Sequence, residues 1–139
     1  MKKKIRRKVG DVVQISLPDG RYAYGRLYRD ASVGIYRTIT NEPQNPPIGS
    51  RDFRFHVGLY EDLVTSGKFP IVGRDPFENP ESEWPPPYYM RDKISGEYSV
   101  YHKGEIRKAS ESECKGLEEA AVWDLQHIVD RIMQNSDQS

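Results

Sequence analysis

The sequence predicts an α+β domain: a bent antiparallel sheet, SH3-like at its start, with one C-terminal α-helix packed on it. Three observations predict this. Residues 9–29 alternate at period two around a turn, residues 88–108 repeat that pattern as a meander, and from Ser110 the apolar spacing changes to three and four. Strands grouped ahead of a helical run are the pattern of segregated α+β architectures.

The first strand is Asp11-Val12-Val13-Gln14-Ile15-Ser16-Leu17, Pro18-Asp19-Gly20 is the turn, and Arg21-Tyr22-Ala23-Tyr24-Gly25-Arg26-Leu27-Tyr28 is the second strand. Gly25 inside a strand weakens packing unless the strand bends or another backbone comes close, so a sharp curl is expected there. Tyr22, Tyr24 and Tyr28 share one face. They read either as half-buried packing groups or as an aromatic platform for a ligand. Val33-Gly34-Ile35-Tyr36-Arg37-Thr38-Ile39-Thr40 is rich in β-branched and aromatic residues and should pair with the second strand. Residues 41–50 hold three prolines and form a loop, residues 53–59 alternate again, and residues 60–67 suit a helical turn closed by Gly67.

Phe69-Pro70-Ile71-Val72-Gly73 reads as a short buried strand, which Pro70 confines to a sheet edge or an irregular start. Residues 75–87 carry five prolines and four acids around Trp84, a composition that cannot join a ladder and must cross the surface as a loop. Residues 88–92, 97–102 and 105–108 follow as two successive hairpins. Cys114, Leu117, Ala121, Leu125, Ile128 and Ile132 then mark one stripe of a helix. Ser110 with Glu113 matches a capping box, although Gly116 also allows a start near Leu117. Trp123 lies off the stripe, as a core edge or a partner contact.

Lysine and arginine number 21, as do aspartate and glutamate, so no global field draws the chain to nucleic acid or membrane. The distribution is uneven. Residues 1–8 hold six bases and no acid, which leaves the rest of the 139 residues net acidic by six charges. The expected organisation is a basic leader at 1–8, a single domain at 9–134 and a polar tail at 135–139. One cysteine, no secretory leader and no apolar run long enough to cross a bilayer point to a cytoplasmic protein without a membrane partner.

No catalytic constellation emerges. His56, His102 and His127 lack the spacing of a zinc motif, no strained nucleophile elbow is present, and no glycine-rich loop opens a helix. Cys114 reads as a small buried hydrophobe. The expectation is a non-enzyme without catalytic residue, cofactor or metal. Asp75, Glu78, Glu81 and Glu83 sit in a proline-rich setting that offers little burial to split their pKa values, so they read as a solvated acidic loop. With Trp84 as an aromatic anchor, this loop and Glu42 suit docking against a basic surface; the alternative is that Trp84 folds back onto the sheet.

Three blocks carry a family resemblance. Val9-Gly10-Asp11 with Leu17-Pro18-Asp19-Gly20-Arg21-Tyr22-Ala23-Tyr24-Gly25-Arg26 resembles the opening of the immunity protein 26 family of bacterial polymorphic-toxin and contact-dependent growth inhibition systems. Pro85-Pro86-Pro87-Tyr88-Tyr89-Met90-Arg91-Asp92 and Glu113-Cys114-Lys115-Gly116-Leu117-Glu118-Glu119-Ala120-Ala121-Val122-Trp123 look like its second half. The resemblance implies a non-enzymatic protein that protects its own cell by binding a cognate toxin domain, a nuclease among the candidate partners. It supplies no contact residues.

The rival expectation is an SH3- or Tudor-like module that binds nucleic acid through the leader and exposed tyrosines. Such modules carry basic groups on the folded face, whereas here the excess lies in the leader. Removing the leader is expected to leave fold and activity intact, since Met1 and Ile5 are its only apolar residues. A melting temperature lowered by more than a few degrees would contradict this, and loss of salt-sensitive nucleic-acid binding would favour the rival.

Overall fold

The first five strands are β1 (Asp11–Ser16), β2 (Tyr22–Tyr28), β3 (Ser32–Tyr36), β4 (Phe53–Leu59) and β5 (Ile71–Arg74), with a one-turn helix α1 (Asp62–Thr65) before β5. A 3-10 turn (Pro80–Glu83) leads to β6 (Tyr88–Arg91), β7 (Tyr98–His102) and β8 (Glu105–Ala109). The chain ends in α2 (Glu111–Cys114), β9 (Glu118–Glu119), β10 (Val122–Trp123) and α3 (Leu125–Ser136). This computed structural model describes residues 8–60 and 62–136. The leader at residues 1–7 and the end of the tail at 137–139 lie outside the described residues.

Two sheets result. The first runs β10-β4-β3-β2-β1-β5 and the second β8-β7-β6-β9. Neighbours are antiparallel except for β10 on β4 and β9 on β6, which are parallel. The opening hairpin pairs Val12 with Arg26 and Ser16 with Tyr22, β3 pairs with β2 as its sequence requires, and β6, β7 and β8 form the expected meander. The strand after Pro70 lies at the edge of the first sheet, where its register on β1 slips between Val12 and Val13. No helix among the described residues is long and apolar enough to cross a membrane.

The first sheet is buried on both faces, so β1 to β3 read as almost continuously buried. On one face Val13, Ile15, Leu27, Val33, Ile35 and Val57 pack against Leu63 and Val64 of α1, Phe69, and Ile128 and Ile132 of α3. On the other, Val12, Tyr24 and Tyr36 cluster with Tyr22, Phe53 and Val72. Tyr24 and Tyr28 are buried. They are packing groups, which decides between the two readings of the aromatic strand.

Gly25 keeps regular register with Val13 and Ile35, and a Cβ there would lie 2.5 Å from Val33 Cγ2, so the missing side chain makes room for a close approach. One expectation is corrected: the long helix from Ser110 is not formed. The capping box closes, Ser110 Oγ accepting from Glu113 N–H and Glu113 reaching back to Ser110 N–H, but it starts a single turn. Gly116, at φ 84°, turns the chain into β9 and β10, and the helix restarts at Leu125 with Asp124 accepting from His127 N–H at 3.0 Å. The stripe mixed two origins. Cys114, Ile128 and Ile132 are buried, whereas Ala121 is exposed on a strand-like crossing.

Lys8 belongs to the fold. Its N–H donates to Asp11 Oδ2 at 2.8 Å, and its carbonyl accepts from Asp11 N–H at 2.9 Å. The leader truncation that tests the tail reading therefore stops at Arg7.

Candidate functional site

The loops 41–52 and 75–87 cover the tyrosine-bearing face of the first sheet, and Asp75 fastens them to it. Asp75 is 3% exposed. Its Oδ2 accepts from Tyr36 OH at 2.6 Å, Arg51 Nη1 at 3.0 Å and Gly49 N–H at 3.2 Å, and its Oδ1 accepts from Arg51 Nη2 at 3.2 Å. Arg26 Nη2 stands 3.8 Å from Oδ1. Burial alone would raise the Asp75 pKa, but the bonds from Arg51, Tyr36 and Gly49 and the charge of Arg26 outweigh it and hold the carboxyl below its ordinary range. The solvated-loop expectation fails here because the cations sit 24 and 49 residues away in sequence.

Arg26 is as buried as the carboxylate it faces. Its Nε donates to Asp75 C=O and its Nη2 to Pro76 C=O, both at 2.9 Å, while the guanidinium carbon lies 3.6 Å from the Phe77 ring centre. An arginine on a strand of tyrosines was the available signal for this anchor, and sequence reasoning missed it.

Beyond Phe77 the loop is braced by short capping bonds and by long-range ion pairs. Asn79 Oδ1 accepts from Ser82 N–H at 3.0 Å, with Pro80 at the first position of the turn. Arg29 donates from its backbone to Glu83 C=O and from Nε to Glu83 Oε1, each at 2.8 Å, and its guanidinium stands 5.5 Å from the Trp84 ring centre. Lys103 pairs with Glu81 and holds its carboxyl below the ordinary range. At the far end Tyr88 OH donates to Ser32 Oγ at 3.0 Å.

The structure thus brings Glu81, Glu83 and Trp84 onto one ridge with Arg29 and Lys103, and leaves Glu78 exposed without an ion pair among the described residues. Counting Glu78, Glu81 and Glu83 against Arg29 and Lys103 leaves the ridge at net −1, much less acidic than its sequence. Trp84 is half-buried. Glu42 lies apart in the 41–52 loop, where its carbonyl accepts from Thr40 Oγ1 and Tyr24 OH.

The ionisable side chains that chemistry would require stand apart. His56 is on β4 against Tyr28 OH at 3.2 Å, His102 ends β7, His127 is on α3 and Cys114 is the buried last residue of α2. Among the described residues no three His, Cys, Asp or Glu side chains are arranged to hold a metal ion. What the loops build is a hydrogen-bonded, externally presented ridge on a twice-covered sheet.

A family model described as Immunity protein 26 matches residues 8–100, from the first hairpin into β7. The block at 113–123 lies beyond that range. No curated protein and no solved structure matches the chain. The matched span includes the hairpin, both covering loops and the Arg26–Asp75 fastening, well over half of the sequence, and on that span the chain belongs to the immunity protein 26 family.

Proposed function

We propose that this chain is the cytoplasmic antidote to a cognate toxin domain, which it binds and whose active site it covers. The single observation that carries the reading, beyond family membership, is the braced ridge 77–84, which presents Glu78, Glu81, Glu83 and Trp84 on a backbone fixed from behind by Asp75. A pre-ordered loop loses little conformational entropy on docking. The acidic excess of residues 9–139 suits a basic partner such as a nuclease, with Glu42 adding to that field. Inhibition by coverage needs no chemistry from the chain.

The test is co-expression with the toxin domain encoded at its own locus. Growth should be restored and the two proteins should co-purify; failure of both overturns the reading.

Two variants report on the ridge. Replacing Glu78, Glu81 and Glu83 by alanine should slow association a few-fold and flatten its dependence on salt, measured by surface plasmon resonance. Trp84→Ala should speed dissociation about 30-fold, the equivalent of a hot spot of about 2 kcal/mol. Its folding cost should stay near 1 kcal/mol, because the ring is only half-buried and its arginine contact lies near the surface. Unchanged association in the first variant, or unfolding of the second, would move the interface elsewhere.

A further inference from the structure

The outer side of β10 is a sheet edge. The strand ends the six-stranded order, pairing Val122 with Gly58 and Trp123 with Leu59, and no described strand covers its other side. It is held close to β4, since a Cβ on Gly58 would lie 2.5 Å from Ala121 C=O. Trp123 C=O accepts from Tyr60 N–H on the β4 side, so the outward backbone N–H and C=O of this short edge are those of Val122, which an extended chain can pair.

Both faces of this edge are hollow. On one side a cleft of about 330 Å³ between the sheets is lined by Asp30, Met90, Tyr101, Ile106 and Val122. On the other a groove of about 580 Å³ is lined by Val122, Trp123, His127, Asp130 and Arg131. Val122 is 54% exposed and Ile106 64% exposed, so the apolar lining of the cleft opens to solvent. Successive side chains of a strand point to opposite faces, and a strand added at β10 would place one side chain in the cleft and the next beside Trp123.

Charge selects the occupant. Asp30 accepts from Tyr101 OH at 2.6 Å, Asp124 from His127 N–H at 3.0 Å and Asp130 from Gln126 Nε2 at 2.7 Å. None of the three forms an ion pair with arginine or lysine among the described residues. Arg131 is held by Glu118 at 2.5 Å and lies 4.1 Å from the Phe55 ring centre. The acids of the ridge at 77–84 are mostly neutralised by cations, whereas around β10 Asp30 and Asp130 have no cationic partner among the described residues and Asp124 faces only the His127 ring at 3.1 Å. Asp30 and Ala31 are also non-glycine residues at φ 65° and 48°, a strained turn at the lip of the cleft.

Resting on the immunity reading, we propose that β10 is a second docking element, which takes an extended, basic segment of the toxin as an added strand with an apolar side chain seated in the cleft. The test uses the full chain and the toxin domain. Val122→Lys puts a charge on an exposed position of the edge and should weaken the complex at least tenfold with the melting temperature unchanged. Asp30→Asn combined with Asp130→Asn keeps the hydrogen-bond acceptors and should weaken binding several-fold while reducing its salt dependence. Ile94→Lys, at a 98% exposed turn away from the edge, should bind as wild type. Amides at 120–124 should gain protection from hydrogen exchange in the complex.

Wild-type affinity in both β10 variants, with the wild-type complex intact, overturns the docking element and leaves the immunity reading standing. A wild-type chain that dimerises without toxin and becomes monomeric on Val122→Lys would assign the edge to a second copy, against the proposal. No toxin binding by the wild-type chain removes both.

Discussion

Asp75→Ala is expected to cost about 3–5 kcal/mol of folding stability, the range for removing one partner of a buried charge pair. The variant leaves the Arg26 guanidinium 4% exposed without its facing carboxylate, and Tyr36 OH without its acceptor. It also releases Gly49 N–H and Arg51, so the 41–52 and 75–87 loops lose a shared anchor. Chemical denaturation should show a lower midpoint with a similar slope. Asp75→Asn should lose less, because the amide oxygen still accepts from Tyr36. A loss below about 1 kcal/mol in the alanine variant would mean that the loops are held by apolar contacts instead. The folded-state pKa of Asp75 lies below its unfolded value of 3.8, so its stabilisation is present above that value and is lost as pH falls through the folded pKa.

The second large effect is a loss of stability between pH 6.5 and 4 that comes from His56. Burial pushes its pKa from 6.5 down to about 4; Glu118 opposes this and Arg26 reinforces it. The unfolded chain takes up a proton near pH 6.5, the folded chain only near pH 4. Between those values the unfolded state binds more protons, and stability falls as the medium is acidified, by up to about 3 kcal/mol. His56→Gln should flatten the slope in this window and leave the Asp75 effect at lower pH in place. Denaturation midpoints measured across pH 4–7 check this; a wild-type protein with no slope there would place the imidazole in solvent.

The parts of the fold that were legible in the sequence are those fixed by local pattern. β1 to β4 and the meander follow from period-two alternation and from turns such as Pro18-Asp19-Gly20. The C-terminal region was misread because residues 114–132 keep helical spacing while Gly116 breaks the helix, and two-residue parallel pairings impose no period of their own. The acidic loop was legible as a loop but not in its charge. Its cations come from Arg26 on β2, Arg29 and Lys103 in the turns after β2 and β7, and Arg51 in a second loop, and only the fold brings them together. The β10 edge left no signal beyond Trp123 standing off the stripe, because an edge strand is defined by the neighbour it lacks.

Coverage of an active site requires one chain per toxin molecule, whereas an enzyme that disarmed the toxin would act in lesser amounts. The most direct measurement titrates the purified toxin domain with this chain and follows toxin activity and complex formation together. Under coverage, inhibition and binding saturate together at one chain per toxin. Full inhibition at a small fraction of that ratio, or saturated binding with toxin activity untouched, would contradict it.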